Sequence, residues 1–147
     1  IDRSRGLGDV YKRQQIKTQA ITYKRCKPTF NHQHTLSTLK AEGYKIGVCS
    51  NSVRKSVITM MKQSNLFDKL DVIYSNEDVS IGKPNPEMYL KAMKDLGVKP
   101  SETIILEDNA HGIEAAIKSG AHLMRIATPS DVTYSNLKIA IAKAEKV

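Results

Sequence analysis

Thr103-Ile104-Ile105-Leu106-Glu107-Asp108-Asn109 is an apolar run that ends in two acids and an amide, and a helix-like segment from Ala110 to Ser119 follows it. The apolar part is typical of a buried strand. Two adjacent carboxylates in a poorly solvated pocket raise each other's pKa, and a shared cation removes that cost. The stretch therefore predicts a divalent metal site, with Mg²⁺ as the ion and Glu107 and Asp108 as its ligands.

A second predicted strand, Tyr44 to Cys49, ends in Ser50-Asn51-Ser52 ahead of a helix-like segment from Val53 to Ser64. Hydroxyls and backbone N–H groups at the start of a helix form a seat for a phosphate. Gly82-Lys83-Pro84 lies between the two strands in sequence, and an ammonium group suits a phosphoryl oxygen. Carboxylates, hydroxyl and lysine together predict a phosphoryl-transfer pocket.

Each of these features also has an ordinary structural explanation. Ser50 is suited to capping a helix, Gly82-Lys83-Pro84 to forming a turn, and an acidic pair to the start of a helix. Their joint occurrence at the ends of predicted strands is what favours the functional interpretation.

Predicted strands and helices alternate along the chain. Helical patterns precede Gly43, follow Ser52, run from Asn85 to Gly97 and occupy Ala110 to Ser119, and a last helix includes Leu137 and Ile141. Short strands are predicted at 71–74 and 122–126. This alternation predicts an α/β fold, a doubly wound parallel sheet with helices on both faces, whose ligands bind beyond the carboxyl ends of the strands.

Composition narrows the class of protein. The 147 residues suffice for one domain, and the two cysteines, Cys26 and Cys49, do not suggest a disulfide framework. No run of eighteen apolar residues or secretory leader occurs, so we expect a soluble, cytoplasmic protein with no membrane partner. The net charge of +8 is concentrated in residues 1–27, which hold eight Lys or Arg and two Asp. Because this lead lacks interleaved aromatic residues, we expect no nucleic-acid partner.

The N-terminal segment looks foreign to the rest of the chain. Residues 1–14 show neither helical nor strand periodicity and resemble translated sequencing-adaptor sequence, so we exclude them from the predicted fold. A disordered basic arm is the alternative. Residues 15–25 have a mildly helical pattern.

The order Ser50-Asn51, Gly82-Lys83-Pro84 and Glu107-Asp108-Asn109, with Gly112 following, resembles motifs two to four of the haloacid dehalogenase-like superfamily. The similarity runs from about Lys27 to Ile126 and is greatest to the subgroup of beta-phosphoglucomutase and small sugar-phosphate phosphatases. It implies that residues 15–27 are the remnant of a cap helix and that 28–147 form an incomplete core, with the first strand and most of the cap missing.

The resemblance also implies roles for individual residues. Ser50 would hydrogen-bond the transferring phosphoryl group with Asn51 beside it, and Lys83 would neutralise charge on that group. Glu107 and Asp108 would hold Mg²⁺, directly or through water. Ser52 and Arg54 lie where some relatives grip a second phosphate.

The family's nucleophile is the first aspartate of an Asp-x-Asp motif on the first strand, which forms an aspartyl phosphate. This sequence contains no such motif, and six residues separate Asp2 from Asp9. We therefore expect an inactive, unstable fragment of an enzyme, in which two strand edges are left unpaired or the sheet closes directly between them.

The function expected of the intact parent is that of a Mg²⁺-dependent phosphatase of a small phosphorylated metabolite, such as a sugar phosphate. Two alternatives stay open: a phosphomutase, and an inactive metal-binding relative. A signalling receiver also gathers acids, a hydroxyl and a lysine around Mg²⁺, but there the acidic pair comes first in the chain. The sequence leaves the oligomeric state undetermined.

Overall fold

The computed structural model describes the backbone of residues 4–8 and all of residues 28–146. Five strands and five α-helices occupy these ranges. The strands are β1 (Ser4–Gly8), β2 (Lys45–Cys49), β3 (Val72–Tyr74), β4 (Thr103–Glu107) and β5 (His122–Arg125). The helices are α1 (Phe30–Ala41), α2 (Arg54–Gln63), α3 (Glu87–Leu96), α4 (Ala110–Ser119) and α5 (Tyr134–Glu145).

The strands form one parallel sheet in the order β3-β2-β1-β4-β5. The helices between consecutive strands pack on the sheet, as crossover connections between parallel strands require. The predicted doubly wound parallel α/β fold is confirmed.

The expectation that the first strand is missing is wrong. Residues 4–8 pair along β2 from Ser4↔Lys45 to Gly8↔Cys49 and along β4 from Ser4↔Thr103 to Leu7↔Leu106. The unpaired N–H and C=O groups along the edges of β2 and β4 can hydrogen-bond to any extended backbone segment of matching length. The side-chain pattern of residues 1–14 carries no signal of this pairing, because the bonds are made by the main chain.

Two hydrophobic layers enclose the sheet. One face is covered by α1, α2 and α5, through side chains such as Leu36, Val57 and Leu137. The other face is covered by α3 and α4, through Met88 and Ala115 among others. Successive strand residues contribute to opposite layers, as the alternation of a pleated strand requires. The prediction of helices on both faces is confirmed.

Several helix ends follow the predicted signals. Helices α3 and α4 end at Gly97 (φ 71°) and Gly120 (φ 83°), whose left-handed conformations suit glycine. At the start of α3 the N-cap is Pro86 rather than Asn85, although the Asn85 side chain still accepts a hydrogen bond from Glu87 N (2.9 Å).

Some expectations fall outside the described residues. They include the helical pattern at 15–25, the positions of Asp2 and Asp9, and Cys26. Within residues 28–146, no helix has the length and hydropathy to span a membrane.

Candidate active site

The three predicted motifs meet at one edge of the sheet. Ser50 follows β2, Asp108 follows β4, and the loop that carries Lys83 connects β3 to α3. Because β2 and β4 are both parallel neighbours of β1, their carboxyl ends point to the same side of the molecule. Ligands of this class of sheet bind at that side.

The Lys83 ammonium group joins the ends of two strands. Its Nζ donates to the Cys49 carbonyl (2.9 Å) at the end of β2 and to Glu107 Oε2 (3.2 Å) at the end of β4. Both charged side chains are fully buried. Removing one partner of a buried ion pair leaves an uncompensated charge and typically costs about 3–5 kcal/mol. The pair therefore ties the lysine loop to the edge of the sheet.

The Glu107 carboxylate accepts hydrogen bonds on both oxygens. The Tyr89 hydroxyl donates to Oε2 (2.7 Å), and Asp108 N (3.1 Å) and Asn109 Nδ2 (3.3 Å) donate to Oε1. Together with Lys83, these donors offset the cost of burying the charge. Lys83 thus already neutralises Glu107, one member of the acidic pair for which the sequence predicts a neutralising metal.

Gly112, in the first turn of α4, leaves the space that this carboxylate occupies. A Cβ at position 112 would lie 1.9 Å from Glu107 Cδ and 2.0 Å from Oε2. The helix start is fixed by Asn109, whose Oδ1 accepts a hydrogen bond from Gly112 N (2.9 Å). Asp108 lies between Glu107 and this cap, with its side chain exposed.

The Ser50-Asn51-Ser52 turn is buried at both serines. Ser50 Oγ accepts a hydrogen bond from Ser52 N (3.1 Å), and Ser50 N donates to the Tyr74 carbonyl (2.9 Å). The Asn51 side chain reaches the Lys83 backbone, where it accepts from N (2.9 Å) and donates to O (3.0 Å). The turn thus places a hydroxyl next to the Cys49 carbonyl that holds the lysine.

Arg54, at the start of α2, lies in an ion pair. Its Nη2 bonds Asp78 Oδ2 (2.5 Å) and the Ile73 carbonyl (3.2 Å), while its N–H donates to Glu77 Oε2 (2.7 Å). Burial alone would raise the pKa of the Asp78 carboxyl, but hydrogen bonds from Arg54 and Ser75 hold that pKa below its usual range. Arg54 would have to leave this pair to bind a second phosphate, so that role stays a prediction.

Comparison with known proteins identifies the family. A family model for haloacid dehalogenase-like hydrolases matches residues 7–126. The chain belongs to the haloacid dehalogenase-like hydrolases. Its alignment with YhcW of Bacillus subtilis (strain 168), a provisionally named phosphatase, is 43% identical over 67% of the chain and 44% of YhcW. Pyrophosphatase PpaX of Bacillus mycoides (strain KBAB4) is 33% identical over 69% of the chain and 53% of PpaX.

The fold of this haloacid dehalogenase-like chain is also similar to solved structures. Beta-phosphoglucomutase from Clostridium difficile superposes with a TM-score of 0.73 at 20% identity, over 88% of the chain and 64% of that protein. The chain spans about half the length of the curated relatives it matches.

The donor chemistry of the site is compatible with Mg²⁺. This ion is typically bound through one or two protein carboxylates together with water and substrate phosphate. The end of β4 offers two carboxylates, of which the Asp108 side chain is exposed and the Glu107 side chain is buried. Within residues 28–146, no group of three or more His, Cys, Asp or Glu side chains is arranged as a metal site.

Tyr89 also belongs to the site of this family member, although the sequence-based prediction did not include it. Tyr89 is 1% exposed, its hydroxyl contacts Glu107, and its ring lies 5.4 Å from Lys83 Nζ. The sequence feature that could have indicated this role is the position of Tyr89, a residue with a hydroxyl group, next to Met88 among the apolar residues of α3. A buried tyrosine hydroxyl usually has a partner, so it pointed to a polar group beneath the helix.

Proposed function

We propose that this chain supplies the phosphate-handling part of a Mg²⁺-dependent phosphatase of a small phosphorylated metabolite, such as a sugar phosphate. The observation that carries the proposal is the buried Lys83 ammonium, held between Cys49 O and Glu107 beside Ser50 and Asp108. A fixed cation next to a hydroxyl is the arrangement that stabilises a transferring phosphoryl group.

In this proposal each side chain has a defined task. The Ser50 hydroxyl donates a hydrogen bond to a phosphoryl oxygen. The Lys83 ammonium neutralises negative charge on the phosphoryl group. Glu107 orients Lys83, and Asp108 is the principal ligand for Mg²⁺ with Glu107 beside it. The ion, when bound, supplies positive charge against the phosphate.

The nucleophile of this family is not among the residues that can be assigned. The chain has no Asp-x-Asp motif, and Asp2 and Asp9 lie outside the described residues. The binding of ligands, not turnover, is therefore the appropriate test of this chain. In a complete enzyme, attack by an aspartate would give an aspartyl phosphate that water hydrolyses.

The similarity to proteins named as phosphatases supports hydrolysis rather than the phosphomutase reaction. The relatives at 43% and 33% identity are named as a phosphatase and a pyrophosphatase. The phosphomutase is similar at 20% identity, which reflects the fold alone. Product analysis of a complete protein would separate the two reactions, since a phosphatase releases free phosphate and a mutase yields an isomerised sugar phosphate.

Titration calorimetry of the full chain with Mg²⁺ and with inorganic phosphate tests the proposal. We expect Asp108→Asn to weaken Mg²⁺ binding about tenfold or more, since mutation of residues that merely support metal ligands typically costs about 10–100-fold. Asp68→Asn is the matched control, because its side chain is 80% exposed and remote from the site. We expect Ser50→Ala and Lys83→Met to weaken phosphate binding, while Lys91→Met, at an exposed lysine paired with Glu87, leaves it unchanged.

Two outcomes would overturn the proposed function. One is phosphate binding that survives both Ser50→Ala and Lys83→Met at native affinity. The other is Mg²⁺ binding that Asp108→Asn leaves intact.

A further inference from the structure

The side-chain amide of Asn51 is bonded to a peptide group rather than directed at the open edge of the sheet. Its Oδ1 accepts from Lys83 N (2.9 Å) and its Nδ2 donates to Lys83 O (3.0 Å). These two bonds, across 32 residues of sequence, resemble the two-bond pairing of facing residues in antiparallel strands. The amide thereby satisfies both backbone groups of the residue that carries the central ammonium.

Gly82 lies against the side-chain amide of Asn51. A Cβ at position 82 would lie 2.7 Å from Asn51 Oδ1 and 3.2 Å from its Cγ. A contact under 3.0 Å requires something to shift. The glycine of the Gly82-Lys83-Pro84 motif therefore allows the amide to approach the main chain at Lys83.

The end of β2 consequently holds Lys83 at two points. The Asn51 side chain fixes its backbone, and the Cys49 carbonyl, two residues earlier, accepts from its Nζ (2.9 Å). With both ends of the lysine attached to one turn, its conformation is determined before any ligand arrives. Preorganisation of this kind is what makes a fixed charge effective toward a phosphoryl group.

We propose that the Asn51 side chain positions Lys83 and does not itself bind the phosphate. The alternative, expected from the family resemblance, is that Asn51 binds substrate beside Ser50. The task that Lys83 then performs rests on the proposed function, whereas the positioning itself does not.

Amide hydrogen exchange of the full chain, measured by NMR without metal or phosphate, tests the positioning directly. In Asn51→Ala, Lys83 N loses its acceptor, and we expect its exchange to accelerate about fivefold or more. The Lys83 ammonium signal, observable while the group is buried and hydrogen-bonded, should broaden in the same variant. Asn51→Asp keeps an acceptor for Lys83 N and should retain slow exchange there.

Two further variants make the test specific. The added methyl group of Gly82→Ala should displace the Asn51 amide without removing it, so amide exchange at Lys83 should accelerate as in Asn51→Ala. If Asn51→Ala fails to fold, Gly82→Ala provides the same test. Asn85→Ala is the matched control, since it removes another amide of the same loop, one that bonds Glu87 N. We expect native exchange at Lys83 in that control.

Inorganic phosphate provides the discriminating second readout. If Asn51 acts through Lys83, Asn51→Ala should not weaken phosphate binding further in a Lys83→Met background. Native exchange at Lys83 in Asn51→Ala, or additive losses of phosphate affinity, would overturn the proposal. A native chain that binds no phosphate would refute the proposed function, and the exchange data would still decide the role of Asn51.

Discussion

At the scale of single residues, the site depends on one buried carboxylate. The Glu107 carboxylate accepts hydrogen bonds from the Lys83 ammonium, the Tyr89 hydroxyl, a backbone N–H and a side-chain amide. It fits in this position because Gly112 has no side chain. Glycine is otherwise a poor choice in a helix, since alanine is favoured over it by about 1 kcal/mol at interior positions. Its presence in α4 is explained by the position of the carboxylate.

Gly112→Ala should therefore destabilise the protein, although helix propensity favours the change. The added Cβ would lie 1.9 Å from Glu107 Cδ, so the carboxylate must move and loosen its bond to Lys83. We expect a loss of about 2 kcal/mol or more in the free energy of unfolding, measured by urea denaturation. In a Glu107→Ala background the same substitution should be neutral or stabilising. Equal losses in both backgrounds would contradict this explanation.

At the scale of elements, an aspartate sets where β3 begins to pair with β2. Asp71 Oδ2 accepts from Ile46 N (2.7 Å), and Asp71 N donates to Ile46 O (2.7 Å). The side chain thus supplies an acceptor to a buried strand residue just before the Gly47↔Val72 pair. Lys40 Nζ contacts the other oxygen of Asp71 at 2.6 Å.

Asp71→Ala should cost about 1–3 kcal/mol, because the Ile46 N–H would lose its acceptor inside the sheet. Thermal and urea unfolding of the purified variant would measure the loss. Lys40→Ala is the control, since it removes only a partly exposed ion pair, which is worth about 0.2–1 kcal/mol. Because Asp71→Ala also removes the ion pair, equal losses in the two variants would show that the ion pair, not the strand bond, is the stabilising contact.

At the scale of the whole molecule, the sheet is continuous only because residues 4–8 lie at its centre. Strands β2 and β4, which carry the site residues at their carboxyl ends, do not pair with each other; both pair with β1. The distance between the two halves of the site is therefore set by a segment that has no apolar strand pattern of its own.

Deleting residues 1–14 should abolish cooperative unfolding or lower the midpoint strongly, because β2 and β4 would each lose a row of backbone hydrogen bonds. Circular dichroism during heating would measure the transition. Deleting residues 1–3 alone retains β1 and should leave the midpoint near that of the full chain. A shortened chain 15–147 that unfolds at the same temperature as the full chain would show that β1 contributes nothing to stability.

From residue 28 onward, the sequence by itself determined the order of strands and helices, most of their ends, and the residues that line the carboxyl edge of the sheet. These features are local: apolar periodicity, glycines after helices and polar residues after strands depend on neighbours within a few positions. Ser50, Lys83, Glu107 and Asp108 could be selected in this way, because the ends of parallel strands necessarily share one edge.

The tertiary structure alone decided which atoms of these residues meet. Glu107 pairs with Lys83 across 24 residues, Asn51 reaches a backbone 32 residues away, and Tyr89 adds a hydroxyl from the helix on one face of the sheet. Such contacts depend on the path of the chain between distant segments. The central strand shows the same limit, because main-chain groups make its pairing and residues 4–8 lack the apolar run from which β2 and β4 could be predicted.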